Sequence, residues 1–214
     1  MKLWLVVPVK PLNAVKSRLA TVLDAGERAG LMRHLLRHVL ANAVAADCFA
    51  EIVVVSRDPQ VWAVAHLAGA GVIHEQGRDL NLALEQARQY VIAQGAHALL
   101  VLPADLPLMT VADLHELRRL GETQPGVVVA PSRDGGTGAL LLHPPNAIPF
   151  AFGPHSFERH CRAATDHGQP CQIYHSPTLA FDVDLPADWV ELQTYHPALP
   201  KLHRAKRQYC GETL

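Results

Sequence analysis

Ala98-Leu99-Leu100-Val101-Leu102-Pro103-Ala104-Asp105-Leu106-Pro107-Leu108 is a short apolar run that ends at an aspartate bracketed by prolines. Aliphatic runs of this length bounded by turn signals read as buried strands. The same form recurs upstream at residues 3–7 and 51–56. Helical patterns lie between these runs. Residues 27–45 carry Leu31, Leu35, Val39 and Ala43 at helical spacing, and residues 59–68 and 81–93 supply two more segments. Strands alternating with helices imply right-handed crossovers and a mainly parallel sheet, whose ligands bind at the carboxyl ends of the strands. Asp105 falls at such an end.

After residue 130 the rhythm changes. Residues 127–130 and 139–142 are apolar, and the segment Pro131-Ser132-Arg133-Asp134-Gly135-Gly136-Thr137-Gly138 between them is too short for a helical crossover. That predicts an antiparallel pair. A helix over about 156–167 follows, then a short strand at 172–174, a strand ending at Asp184, and a helix opening at Pro186, where proline is well placed. The expected fold is one three-layer α/β/α domain over residues 1–194, built on a mainly parallel mixed sheet. Residues 195–214 contain Lys201-Leu202-His203-Arg204-Ala205-Lys206-Arg207 and read as a basic extension, mobile or docking as an arm on a partner subunit.

Composition excludes several classes. A chain of 214 residues that is 49% hydrophobic, with a net charge of -1, can bury a sizeable core and lacks the basic balance of a nucleic-acid binder. Its four cysteines are scattered without a C-x-x-C pair, which suits reduced thiols in a cytoplasmic protein. The N-terminal apolar run is broken by Pro8 and followed by Lys10, so it reads as a strand and not as a membrane span. Among thirteen histidines, His34 and His38 share a helix face, but no third metal ligand accompanies them.

The chemistry-bearing residues gather at the predicted strand ends. Ala180-Phe181-Asp182-Val183-Asp184-Leu185-Pro186 places two aspartates on one face of an extended run, about 6.5–7 Å apart between Cα atoms. Brought beside Asp105 they would repel, by roughly 4 kcal/mol per pair of unit charges 4 Å apart at an effective dielectric near 20. A cation removes that cost, and Mg²⁺ favours carboxylate oxygens shared with substrate phosphates. For either motif alone, a solvated strand end is the alternative, since Asp beside Pro is common turn chemistry. Lys10, Lys16 and Arg18 fall in the loop after the first strand, where a nucleotide's phosphates would lie, or else they form a solvated basic loop. Neither G-x-x-x-x-G-K-[ST] nor G-x-G-x-x-G occurs, which argues against a P-loop ATPase and a Rossmann dehydrogenase. The Gly-rich loop at 132–138 and the turn at Gly153 and Ser156 can present backbone N–H groups to an anion, and Arg133 can pair with a carboxylate or phosphate. A plain hairpin loop and a plain N-cap are the alternatives.

Taken in order, these motifs resemble the guanylyltransferases of deazaflavin coenzyme F-420 biosynthesis, within the broader molybdopterin-guanylyltransferase-like group. The resemblance runs from Leu3 to about Trp189. It implies a Rossmann-like fold of the nucleotide-diphospho-sugar transferase type. It also implies transfer of GMP from GTP to the phosphate of a small three-carbon acid: phosphoenolpyruvate first, then 2-phospho-L-lactate or 3-phosphoglycerate. On this resemblance Asp105, Asp182 and Asp184 hold Mg²⁺, and Lys10, Lys16 and Arg18 wrap the triphosphate, with Lys16 counted among the catalytic groups. Asn81 lies near the nucleotide, and Arg133, Thr137, Gly138, Gly153 and Ser156 form the acid pocket. Two positions depart from the family pattern. Gly138 stands where relatives usually carry Asn or Thr, so a contact to the acid is lost or passes to Thr137, and His155 fills a turn position that is more often small or acidic. The rival readings are a molybdopterin-type nucleotidyltransferase, a D-x-D glycosyltransferase and a non-catalytic nucleotide-binding subunit. A downstream transferase that consumes a labile product is the implied partner. The basic tail is the only hint of a homodimer.

Overall fold

β1 (Leu3–Pro8) lies between two parallel neighbours, β2 (Glu51–Ser56) and β4 (Ala98–Val101). Leu3, Leu5 and Val7 enter one buried cluster, while Trp4 and Val6 enter the other. Burial on both faces is why the run is continuously apolar. The computed structural model describes residues 1–77 and 79–195. The basic tail beyond Tyr195 lies outside the described residues.

β3 (Gly71–His74) pairs with β2 at one edge. Beyond β4 come β6 (Thr137–His143), β5 (Gly126–Pro131) and β7 (Cys171–Ile173), giving the order β3-β2-β1-β4-β6-β5-β7. Only β6 runs against the others. The antiparallel β5–β6 pair is the one the short intervening loop implied.

α1 (Ala25–Ala45), α2 (Pro59–Leu67) and α4 (Val111–Thr123) pack on one face, through residues such as Val39, Val64 and Leu117. α3 (Leu80–Ala93) and α5 (Ser156–Asp166) cover the other, through Leu84, Val91 and Ala164. α1 begins two residues before the predicted start because Asp24 and Glu27 form a reciprocal cap, each backbone N–H meeting the other's carboxylate at 2.8 Å. Among the described residues, no helix is long and apolar enough to cross a membrane.

The structure departs from the sequence expectation in three places. β3 was not anticipated; of its four residues only Ile73 is buried, so its apolar signal is thin. α4 was also missed, although Thr110 and Asp113 form its cap. Burial pushes the Asp113 carboxyl up, but hydroxyls of Ser176, Thr110 and Thr178 outweigh it and hold the group below the usual carboxylate range. Finally, the segment ending at Asp184 is not a strand. Its residues do alternate, with Phe181 and Val183 buried against Leu19, Leu35, Trp189 and Leu192. Its backbone, however, joins no ladder, and is fixed by the Arg133 N–H donating to the Ala180 carbonyl at 3.0 Å. α6 (Pro186–Tyr195) follows it directly.

That crossing segment explains Gly138. A Cβ at this position would lie 2.1 Å from the Leu179 carbonyl oxygen, so the close approach of backbone to backbone demands glycine. A side chain such as the Asn or Thr of the family pattern has no room there. Gly138→Ala is therefore expected to destabilise the protein by about 3 kcal/mol or more, read as a lower urea midpoint. An unchanged midpoint would contradict the contact.

Candidate active site

The carboxyl edge of the sheet carries the chemistry. After β1 the chain turns back through residues 9–16, and the Leu12 N–H is tied to the Asp58 carboxylate at 2.7 Å. Lys16 closes this loop in a left-handed conformation (φ 51°, ψ 39°), which costs a non-glycine residue roughly 1–2 kcal/mol. The conformation buries its side chain, 4% exposed, between two acids. Lys16 Nζ donates to Asp105, in the loop after β4, and to Asp184 Oδ1 at 2.7 Å. Burial pulls the lysine pKa down, but the two carboxylates outweigh it and hold the ammonium well above its ordinary value.

Asp182 completes the group. One carboxylate oxygen from each of Asp105, Asp182 and Asp184 lies within 4.8 Å of the other two. Burial, then repulsion from Asp105 and Asp184, pushes Asp182 up to about 7. Three hard oxygen donors beside a single buried ammonium can hold a divalent cation, and burial together with the two neighbouring carboxylates disfavours the charged form of Asp182.

A pH dependence follows. An acid whose pKa is raised on folding holds more protons in the folded than in the unfolded state between about pH 4 and 7. Stability in chelator should therefore fall as pH rises through that window and level off above it. Asp182→Asn should remove this slope, so thermal melts of the two proteins should diverge by several degrees at neutral pH. Parallel curves would contradict the strained carboxylate.

Beside the carboxylates opens a cavity of about 480 Å³, bordered by Asp105 and Asp184. Lys10, Lys16 and Arg18 all line it, and the Arg18 guanidinium comes within 3.8 Å of Asp184 Oδ2. The remaining predicted site residues fall elsewhere. Asn81 is not in the wall; its Nδ2 donates to the Phe152 carbonyl at 3.1 Å and its Oδ1 accepts the Phe152 N–H at 2.8 Å. It thus clamps a wall residue. Arg133 Nη1 donates to both carboxylate oxygens of Glu191 (3.0 and 2.9 Å) and its guanidinium stacks over Phe181, so its charge is already matched. Thr137 and Ser156 are buried and bonded to each other at 2.9 Å. His160 accepts the Ala151 N–H at Nε2, so its Nδ1 carries the proton and donates to Thr137 Oγ1 at 3.1 Å. Burial and Arg159 hold that imidazole neutral, with its pKa down near 4. Gly153, at φ +123°, sits at the turn before α5. None of Thr137, Gly138, Gly153 and Ser156 lines the cavity.

Comparison with known proteins identifies the family. The family model described as "Guanylyl transferase CofC like" matches residues 3–197. The chain belongs to this family. It is 44% identical over 194 residues to a phosphoenolpyruvate guanylyltransferase of Rubrobacter xylanophilus, covering 90% of this chain and 94% of that one. It is 32% identical over 187 residues to a 2-phospho-L-lactate guanylyltransferase of Methanocaldococcus infernus, covering 87% and 82%. Among solved structures, CMP:2-keto-3-deoxy-manno-octonic acid synthetase complexed with CTP superposes with a TM-score of 0.64 at 14% identity, covering 92% of this chain and 99% of the other. A nucleotidyl transferase from Methanothermobacter gives 0.63 at 14% identity, covering 92% and 98%. At these identities the likeness is one of fold: the nucleotide-diphospho-sugar transferase architecture.

For this member of the CofC-like family, sequence reasoning missed two charged residues of the cavity wall, Arg57 and Glu75. Arg57 directly follows β2 and was legible as a strand-end charge. Glu75 directly follows β3, and with that strand unrecognised it had no place at the sheet edge.

Proposed function

We propose that the protein transfers GMP from GTP to the phosphate of a small three-carbon acid and releases pyrophosphate, within coenzyme F-420 biosynthesis. Phosphoenolpyruvate is the first choice of acceptor, given the relatives that carry its name, with 2-phospho-L-lactate and 3-phosphoglycerate next. The observation that carries the reading is the Asp105–Asp182–Asp184 cluster around Lys16, bordering a cavity that is also lined by Lys10 and Arg18.

A phosphate oxygen of the acid attacks the α-phosphorus of GTP. The bond from that phosphorus to the bridging oxygen breaks, and pyrophosphate leaves with the electron pair. The attacking phosphate is ionised at neutral pH, so no protein base is needed. Asp105, Asp182 and Asp184 would hold Mg²⁺, which when bound offsets charge on the α-phosphoryl and leaving oxygens. Lys10 and Arg18 bind the β- and γ-phosphates and neutralise the charge that grows on the leaving group. Lys16 keeps Asp105 and Asp184 at a fixed spacing. The acid lies beside Phe152 at the edge of the cavity; Asn81 clamps Phe152, and the Ser156–Thr137–His160 chain of hydrogen bonds fixes the turn that follows it.

The test mixes each acid with each common nucleoside triphosphate and Mg²⁺ and identifies the product by mass. A guanosine diphosphate ester of one acid, with stoichiometric pyrophosphate, is expected. Failure of GTP to yield pyrophosphate with any of the three acids would overturn the assignment.

A further inference from the structure

We infer that Glu75, assisted by Arg57, reads the Watson–Crick edge of guanine and sets the base specificity of the cavity. This rests on the guanylyltransferase reading for its substrate, but the argument for Glu75 is local. Its side chain is only 11% exposed, yet among the described residues no hydrogen-bond donor reaches its carboxylate. The nearest positive group is Arg57 Nη1, at 4.0 Å from Oε1. An ionised carboxylate offers about four acceptor sites, and no donor among the described residues takes them at Glu75. Glu75 lines the cavity, so that partner can be a ligand.

The backbone makes Glu75 a rigid reader. Its N–H donates to the Ser56 carbonyl at 3.0 Å, continuing the β2–β3 ladder in which Ser56 pairs with His74. Arg57 is anchored too, with Nη1 donating to the Gly77 carbonyl at 2.9 Å. Leu80 and Ala83 of α3 and Val9 of the first loop add apolar wall beside them, suited to the faces of a flat ring. β3 lies three strand spacings from β4, roughly 14 Å. That separation is of the order of the reach from a purine edge to the α-phosphate of an extended nucleotide. A base at Glu75 therefore allows phosphates over β1 and the reacting centre at Asp105.

Donor pattern selects the base. A carboxylate accepts two parallel N–H bonds, and guanine alone among the common bases presents two adjacent donors on this edge, N1–H and the 2-amino group. Adenine and cytosine each offer one donor beside an acceptor, and uracil one donor between two acceptors. The remaining N–H groups of Arg57 suit the guanine O6, an acceptor that arginine also bonds in nucleic acids.

The experiment compares GTP, ITP (no 2-amino group) and XTP (an oxygen in its place) on wild type, Glu75→Ala and Glu75→Gln, with Mg²⁺ and phosphoenolpyruvate. Wild type should favour GTP over ITP by roughly 5- to 150-fold in kcat/KM, the span of one good bidentate pair. Glu75→Ala should bring that ratio near unity, mainly through KM for GTP. Glu75→Gln, whose amide can accept from N1–H and donate to the 2-oxygen, should raise the XTP/GTP ratio by about tenfold or more. A variant that loses all three nucleotides equally, or keeps the wild-type ratios, overturns the proposal. The same ratios are read by competition binding of the three nucleotides with Mg²⁺ and no acid. Wild type that binds GTP over ITP, with the ratio lost in Glu75→Ala, supports Glu75 even if no acid is turned over, whereas that lack of turnover would sink the proposed reaction.

Discussion

Asp184→Ala is expected to lose about 10³-fold or more of GTP-dependent pyrophosphate release while keeping a cooperative fold. The aspartate supplies one of three converging carboxylate oxygens and one of the two partners of Lys16. Its side chain is 41% exposed, so truncation opens no buried cavity. The local turn also survives, because Asp188 is held by the backbone N–H groups of Asp184 and Leu185, at 3.0 and 2.6 Å, and alanine retains both. Turnover within about tenfold of wild type, in a variant whose far-ultraviolet circular dichroism is unchanged, would remove the carboxylate cluster from the reaction.

Lys16→Gln should show the other half of the electrostatic design. Removing one member of a buried ion pair typically costs about 3–5 kcal/mol; the partial exposure of Asp184 lowers the expectation here to about 2 kcal/mol. In chelator that corresponds to a melting temperature lower by about 4–8 °C. Added Mg²⁺ should raise the variant's melting temperature more than the wild type's, because a cation among the three carboxylates replaces the missing ammonium charge. An equal Mg²⁺-induced shift in both proteins would mean that Lys16 and the cation do not share the cluster. Turnover should also fall in the variant, since Asp105 and Asp184 lose the group that spaces them.

The parts of the site that could be read along the chain were those set by short-range pattern. The apolar runs before Pro8, Arg57 and Pro103 announce three parallel strands, and parallel strands end on one edge. Asp105 and the loop bearing Lys10, Lys16 and Arg18 therefore belonged there before any coordinate was known. The alternation Phe181-Asp182-Val183-Asp184 likewise marked two outward carboxylates, although the segment packs by its apolar residues and joins no ladder. Partnerships across the fold were not legible. Arg133 looks like an anion ligand until Glu191, 58 positions away, accepts from its Nη1 through both carboxylate oxygens. Asn81 looks like a nucleotide contact until Phe152, 71 positions away, engages both amide atoms.

Sequence alone established the layered α/β class and the parallel half of the sheet, because strand and helix periodicities and turn residues act over a few positions, and its motifs carried the resemblance to the family. Folding in three dimensions decided how each charge is partnered, because a side chain's electrostatics depend on groups brought near it from distant segments. Lys16 is locked between Asp105 and Asp184, Asp182 is buried beside those two like charges, and Glu75 lines the cavity with no donor closer than Arg57 at 4.0 Å among the described residues. Gly138 shows the same division in steric form: the chain specifies a glycine in a strand, and only the passage of Leu179 overhead shows why nothing larger fits.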